Sequence, residues 1–231
     1  STVSSNAGTT AGLAFDPENH VVYLTSTSTD SLYTVDLNSG QATLVGTYSN
    51  PALVMHGLEF DSRNRVLYGA SSHDGGIYRI DTQTGLETLV GLTGLASFVN
   101  LGYDSRTDTL YASNSGTDSF YTIDRTTGVA TLINNLGGPT NPNGLAYDAA
   151  AGVMYLVDNS TDQLYRVNLS SGFAQSIGAT GPGNLLGLVH IPRGSNIVRR
   201  EHGCGSATLR ASGAAALGSN FTLQLTGTGS P

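Results

Sequence analysis

Lysine and tryptophan are missing from this sequence, and cysteine occurs once. The ten basic residues are all arginine, and charged residues make up 12% of the 231 positions, against about a quarter in ordinary globular chains. The arginines are scattered and the formal net charge is −7. No basic stripe is present to track phosphates, which excludes nucleic acid as the expected partner. Cys204 has no second thiol in its chain, which excludes an internal disulfide framework, so stability must come from a packed core. No apolar run approaches the roughly 20 residues a membrane helix needs, so no membrane span is expected. No 3.6-residue apolar period is sustained, which excludes a helical layer. The patterns GxSxG and HExxH and a glycine-rich phosphate loop are also missing.

Serine, threonine, asparagine and 30 glycines take the place of the charged residues. This composition suits a secreted bacterial β protein, placed outside the cell or at its surface. The chain opens on Ser1 with no charged and apolar leader. The expectation is a mature chain whose leader, if any, has been removed.

Internal repetition organises the chain. "GLAFD" begins at Gly12, "GLEFD" at Gly57, "NLGYD" at Asn100, "GLAYD" at Gly144 and "GLVHI" at Gly187, at spacings of 43 to 45 residues. The first four copies each continue with an apolar-Tyr pair, a polar loop, a second such pair, an Asp or Asn, a Gly turn and a further short run. "TDSLYTVDLNSG", "TDSFYTIDRTTG" and "TDQLYRVNLSSG" are three versions of one segment. Each unit reads as four short strands bounded by turn residues. A repeated four-stranded unit of this length predicts an all-β fold, a β-propeller. The repeats lie near 12–56, 57–99, 100–143 and 144–186, with a fifth from 187. Residues 1–192 form the propeller and 193–231 a C-terminal β-hairpin extension. Five blades are expected: four complete, and a composite fifth assembled from 187–191, part of the tail and residues 2–7. A four-bladed ring is the rival.

The repeated side chains are assigned to architecture. Tyr23, Tyr33, Tyr68, Tyr78, Tyr111, Tyr121, Tyr155 and Tyr165 are expected between blades, with hydroxyls partnered at the rim. Asp16, Asp61, Asp104 and Asp148, and the later Asp36, Asp81, Asp124 and Asn168, recur in every unit. A catalytic pair should be unique, so these read as turn-fixing Asx side chains.

In the tail, "NFTLQLTG" alternates, with Phe221, Leu223 and Leu225 on one face. "ATLRASG" alternates weakly, and "GAAALGSN" reads as the loop between them. The Phe221–Thr226 strand can complete its own blade or pair with a neighbouring copy. Strand exchange would build a filament, and Cys204 is the candidate intermolecular disulfide.

The unit "GLAFDP…LY…TDSLYTVDLNSGQATLVG" resembles repeats of secreted bacterial β-propellers of the broad YVTN/NHL-like group, over residues 12–191. The resemblance implies the fold, which hosts binders, scaffolds and enzymes. The tail "GCGSATLRASGAAALGSNFTLQLTG" resembles a C-terminal segment that follows such propellers. "NPNGLAYD", residues 141–148, is similar to a strand of gluconolactonase-type propellers. That second resemblance implies a divalent metal, usually calcium, held by a Glu, two Asn and an Asp. Asn143 matches its motif, Glu59 and Asn100 stand where they can imitate two of the other ligands, and the Asp has no equivalent in this sequence.

Residues that break the repeat are the informative ones: His56, Glu59, Asn100, Asn143 and His190. His56, Glu59, Asn100 and Asn143 are the candidate ligand-binding set at the channel mouth, with His56 and Glu59 expected to form a polar pocket. No catalytic residue is assigned. The function expected is a non-catalytic extracellular structural, adhesion, matrix or fibre subunit, associating with itself or with an extracellular glycan or protein, and needing no cofactor. The alternatives are a carbohydrate- or peptide-binding propeller and a calcium-dependent lactonase-like hydrolase.

Overall fold

The computed structural model describes residues 7–97, 99–181 and 185–192, together with the backbone of 214–218. Four antiparallel sheets of four strands each follow one another along the chain. Blade one holds β1 (Thr10–Asp16), β2 (Val21–Ser26), β3 (Ser31–Val35) and β4 (Ala42–Thr47). Blade two holds β5 (Met55–Asp61), β6 (Val66–Ser71), β7 (Gly76–Ile80) and β8 (Glu87–Leu92). Blade three holds β9 (Val99–Asp104), β10 (Thr109–Asn114), β11 (Ser119–Ile123) and β12 (Ala130–Asn135). Blade four holds β13 (Pro142–Asp148), β14 (Val153–Asp158), β15 (Gln163–Val167) and β16 (Ala174–Ala179). A fifth, two-stranded sheet pairs β17 (Leu185–His190) with β18 (Ala214–Gly218). No α-helix occurs among the described residues.

The inner strands β1, β5, β9, β13 and β17 pack in that order around the axis, and β17 returns to β1. The first glycine of four of the five repeats, Gly12, Gly57, Gly144 and Gly187, makes this ring possible. A methyl group at Gly12 would lie 2.7 Å from the His56 carbonyl oxygen, and one at Gly144 2.8 Å from the Leu188 nitrogen. At Gly187 it would lie 2.5 Å from the Ala11 carbonyl oxygen. Neighbouring inner strands approach too closely there for any Cβ.

The structure corrects the expected blade count. Four four-stranded blades are described, and the fifth position carries two strands. Residues 2–7, proposed for the fifth blade, lie outside the described residues except Ala7, which is buried beside Val189 and Phe15. Within "GAAALGSN", expected as a loop, Ala214–Gly218 is a strand that pairs antiparallel with β17. Cys204, Phe221, Leu223 and Leu225 lie outside the described residues.

The apolar side chains of the inner strands form the core. Leu13, Phe15, Leu58, Phe60, Leu101, Tyr103 and Leu145 are buried, and Tyr147 is half-buried. Seven of the eight paired tyrosines are buried, Tyr155 being the exception. The thrice-written segment has a physical cause. Tyr33, Tyr121 and Tyr165 hydroxyls each meet the hydroxyl of the threonine four residues earlier, at 3.1, 2.8 and 3.0 Å. In blade two, Asp74 replaces that threonine and accepts from Tyr78. The aspartates after those threonines, Asp30, Asp118 and Asp162, take positive φ to close the turn, and blade two has Gly75 there.

Candidate functional site

Turn chemistry absorbs the repeated carboxylates. Oδ1 of Asp16, Asp61, Asp104 and Asp148 accepts from the amides two and three residues on. Asp36, Asp81, Asp124 and Asn168 do the same in the later turn.

The candidate set at the channel divides. His56 and Asn143 occupy the same position, one residue before the inner-strand glycine of blades two and four. His56 is half-buried, and its Nδ1 lies 2.8 Å from Ser72 Oγ. Burial lowers its pKa, partly offset by a hydrogen bond to the Val54 backbone. Asn143 is buried, and its Nδ2 donates to Asn141 O and Oδ1 at 2.8 and 2.9 Å. Asn100 replaces the repeat glycine. It is buried, and its Nδ2 donates to Pro142 O of the next inner strand at 3.0 Å.

Glu59 stands three residues beyond His56, toward the other end of the strand. Three strand residues span roughly 10 Å, so the two do not share a pocket, contrary to expectation. Ala14, Gly102, Ala146 and Val189 hold the equivalent positions, so Glu59 is a carboxyl among small and apolar neighbours. Its Oε1 accepts from Phe60 N at 2.9 Å and Oε2 from Tyr103 N at 3.2 Å. Burial pushes its pKa up to about 8, against the opposing pull of those two amides, and nearby Asp61 adds to the rise. Glu59 lines a cavity of about 120 Å³ with Tyr103, Tyr147 and His190. His190 takes the place of the aromatic found in the other repeats, and its Nε2 lies 3.5 Å from Asp148 Oδ2. A ligand pocket for a small organic molecule ordinarily holds about 300–1,000 Å³, so this space suits a few waters.

The calcium expectation was tested on the same atoms. Calcium takes six to eight oxygens. Glu59, Asn100 and Asn143 together offer at most four side-chain oxygens, two carboxylate and two amide, which is fewer than the ion takes. Among the described residues, no three His, Cys, Asp or Glu side chains are grouped to hold a metal. These residues do not fit the ion.

A larger groove, of about 600 Å³, runs between blades two and three. Sequence reasoning passed over it because its centre, Arg125, sits in a repeated turn. Arg125 pairs with the buried Asp61 of blade two, and with Asp108 Oδ1 at 2.9 Å. It also lies 5.7 Å from the Tyr103 ring centroid, a cation–π distance. The Tyr103 hydroxyl donates to Asp108 Oδ1 at 2.7 Å. Arg125 and Tyr103 hold the Asp108 carboxyl down at about 2. Asn64, Arg79, Thr109 and Thr126 complete a polar wall. The arginine breaking an otherwise uncharged turn pattern was the available signal.

The outer strands β4, β8, β12 and β16 end their sheets. Leu44, Leu89 and Leu132 sit at one equivalent position on three of them and are 53%, 51% and 58% exposed. The one charged side chain in these four strands is Glu87. It is turned to the preceding blade, where it accepts from Ser49 N, Ser49 Oγ and Asn50 N at 2.9, 2.7 and 3.0 Å.

By sequence, no family model matches the chain and no curated relative does. Solved structures match by shape. A nidogen/laminin complex structure shares 21% identity over 79% of this chain and 68% of that one, with a TM-score of 0.61. Virginiamycin B lyase from Staphylococcus aureus shares 15% over 78% and 59%, at 0.56. Regucalcin, a calcium-binding protein from Agrobacterium tumefaciens strain C58, shares 22% over 78% and 63%, at 0.51. The chain thus spans 59% to 68% of the length of these structures. No helix among the described residues is long and apolar enough to cross a membrane. At these identities the likeness is one of architecture alone, and in architecture the chain is a β-propeller.

Proposed function

We propose that this chain is a non-catalytic extracellular propeller serving as a structural, adhesion or matrix subunit, and that it works through its rim. One observation carries the reading: the four outer strands hold a single charged side chain, Glu87, and three of them present an exposed leucine. An edge strand presents unpaired N–H and C=O groups, and proteins that must stay apart blunt such edges with lysine, proline or inward charges. Here lysine is absent from the chain, and Glu87 is spent on a neighbouring turn. Such edges favour strand addition, in which main-chain hydrogen bonds supply affinity and alternate side chains supply register. The partners proposed are further copies of the chain or other extracellular proteins. The nidogen/laminin structure is a complex, so a fold of this kind is compatible with a protein partner.

The test is sedimentation velocity on the intact protein over a wide concentration range, beside the variant Leu44→Lys/Leu89→Lys/Leu132→Lys. The wild type is expected to form larger species as concentration rises, and the variant to remain monomeric. A wild type that stays monomeric at every concentration, and shows no edge-dependent retention on immobilised matrix protein, would overturn the reading.

A carbohydrate- or peptide-binding role is the second reading, favoured by the groove between blades two and three. Its volume lies in the range of ligand sites, and its wall is polar. Calorimetric titration with oligosaccharides, repeated on Arg79→Ala, tests it. The calcium-dependent lactonase-like alternative draws no support from the donor atoms around Glu59.

A further inference from the structure

One seam of the propeller carries arginine on both of its walls. Arg79 stands opposite Tyr68 in register, on the face that blade two turns to blade three, and it is exposed. Arg125 enters the same groove from the turn that follows β11. The same two positions hold Thr34 and Thr82 between blades one and two, and Thr122 and Leu169 between blades three and four. Both guanidiniums converge on the Tyr68 hydroxyl, whose pKa is raised by burial and pulled back by Arg79 and then by Arg125. Their duties differ. Arg125 is turned to Asp61 and Asp108, whereas Arg79 stands at the surface of the groove.

We infer that this groove binds an acidic oligosaccharide, a sugar chain containing uronic acid, with Arg79 as the residue that takes its carboxylate. The inference rests on the reading of the groove as a carbohydrate site and names the class of sugar. An adhesion or matrix subunit would use such a site beside its rim. Three features select this ligand. The volume, about 600 Å³, lies in the range of ligand sites. The strands that line the groove, β6, β7, β10 and β11, are each paired on both sides. A peptide therefore finds no free main chain to extend there, and recognition must run through side chains. Finally, the walls are mixed in charge. Arg125 and Tyr103 hold the Asp108 carboxyl at about 2, and hydrogen bonds from Thr126 lower Asp124, so both are ionised at neutral pH. A bare anion drawn to Arg79 meets these negative charges as well. A uronate satisfies both kinds of group. Its carboxylate suits the planar fork of Arg79, and its hydroxyls donate to Asp108 and Asp124 and bond Asn64, Thr109 and Thr126.

The experiment is calorimetric titration of the full chain with trimers of galacturonic, glucuronic and mannuronic acid, each beside its carboxyl-reduced neutral counterpart. At least one uronate trimer is expected to bind, and its neutral counterpart to bind about tenfold or more weakly, the loss that follows from removing a charge-assisted hydrogen bond. Arg79→Gln should erase that difference, and Arg79→Lys should keep part of it. Both variants should unfold at the wild-type urea midpoint, because the side chain is exposed. Sodium sulfate at matched ionic strength should leave the trimer bound, and displacement by sulfate would mark a general anion site and overturn the inference. If acidic and neutral trimers bind equally, the groove remains a carbohydrate site and the inference about the class of sugar falls alone. If no trimer binds, the carbohydrate reading falls with it, and binding of a Glu-rich peptide in their place would assign the groove to peptides. Uronate binding that Arg79→Gln leaves unchanged places the sugar elsewhere and contradicts the assignment of Arg79.

Discussion

The inner and outer strands come from the same repeated unit and obey opposite rules. Four of the five inner strands carry a glycine at which a single methyl group would collide with the neighbouring backbone. Outer strands end their sheets, and three of them leave leucines more than half exposed. The axis is specified by packing and tolerates little, whereas the rim is free of that constraint. The carboxyl that breaks the inner-strand repeat, Glu59, is half-buried and is satisfied by neighbouring amides rather than aimed at a substrate. The difference points to the rim as the working surface.

Substitutions at the axis should cost most. Phe60→Ala removes a buried ring from the seam between blades one and two and is expected to destabilise by roughly 3–5 kcal/mol in urea unfolding. A loss under about 1 kcal/mol would place Phe60 outside the core. Gly57→Ala sets a methyl against the Val99 carbonyl oxygen and the Ala70 side chain. Overpacking of this kind costs about 1–3 kcal/mol, and the same unfolding measurement reads it.

The effect expected from Glu59 depends on pH, and it has a sign. Its carboxyl has a pKa of about 8 in the folded protein, above the roughly 4.3 of an unfolded glutamate. Between these values the folded state holds the extra proton, so stability falls as pH rises. The contribution is fully present below about pH 4.3 and is lost as pH passes about 8. Glu59→Gln should flatten that decline, as urea midpoints at several pH values would show. An unchanged slope would mean that Glu59 is ionised throughout.

The rim substitution should cost least. Leu44→Lys is expected to change stability by no more than about 0.5 kcal/mol while weakening association. If it unfolds the protein, the exposed leucine is part of the core and the contrast between axis and rim collapses.

Much of the fold was legible in the sequence, because a propeller repeats its constraints. The glycines of the inner strands, the Asx turns and the tyrosine-threonine pairs each recur, and each recurrence marks one contact. The strand at 214–218 was not legible. Ala-Ala-Ala-Leu-Gly carries neither β-branched residues nor alternation, and only its partner β17 makes it a strand. The polar pocket expected from His56 and Glu59 failed for a related reason. Closeness in sequence is distance along an extended strand, while Glu59 meets Tyr103 from 44 residues away. The rim was hidden because leucines in short apolar runs read as core, and exposure depends on which strand ends the sheet.

Hydrogen exchange at the outer strands tests the central claim most directly. Amides of 42–47, 87–92 and 130–135 would be followed by mass spectrometry at low and high protein concentration, with the inner strands as internal reference. If the rim is the working surface, outer-strand exchange slows as concentration rises or as an extracellular partner is added, while inner-strand exchange stays constant. Outer-strand exchange that is indifferent to both, with protection gained at the channel or the groove between blades two and three instead, would contradict the account.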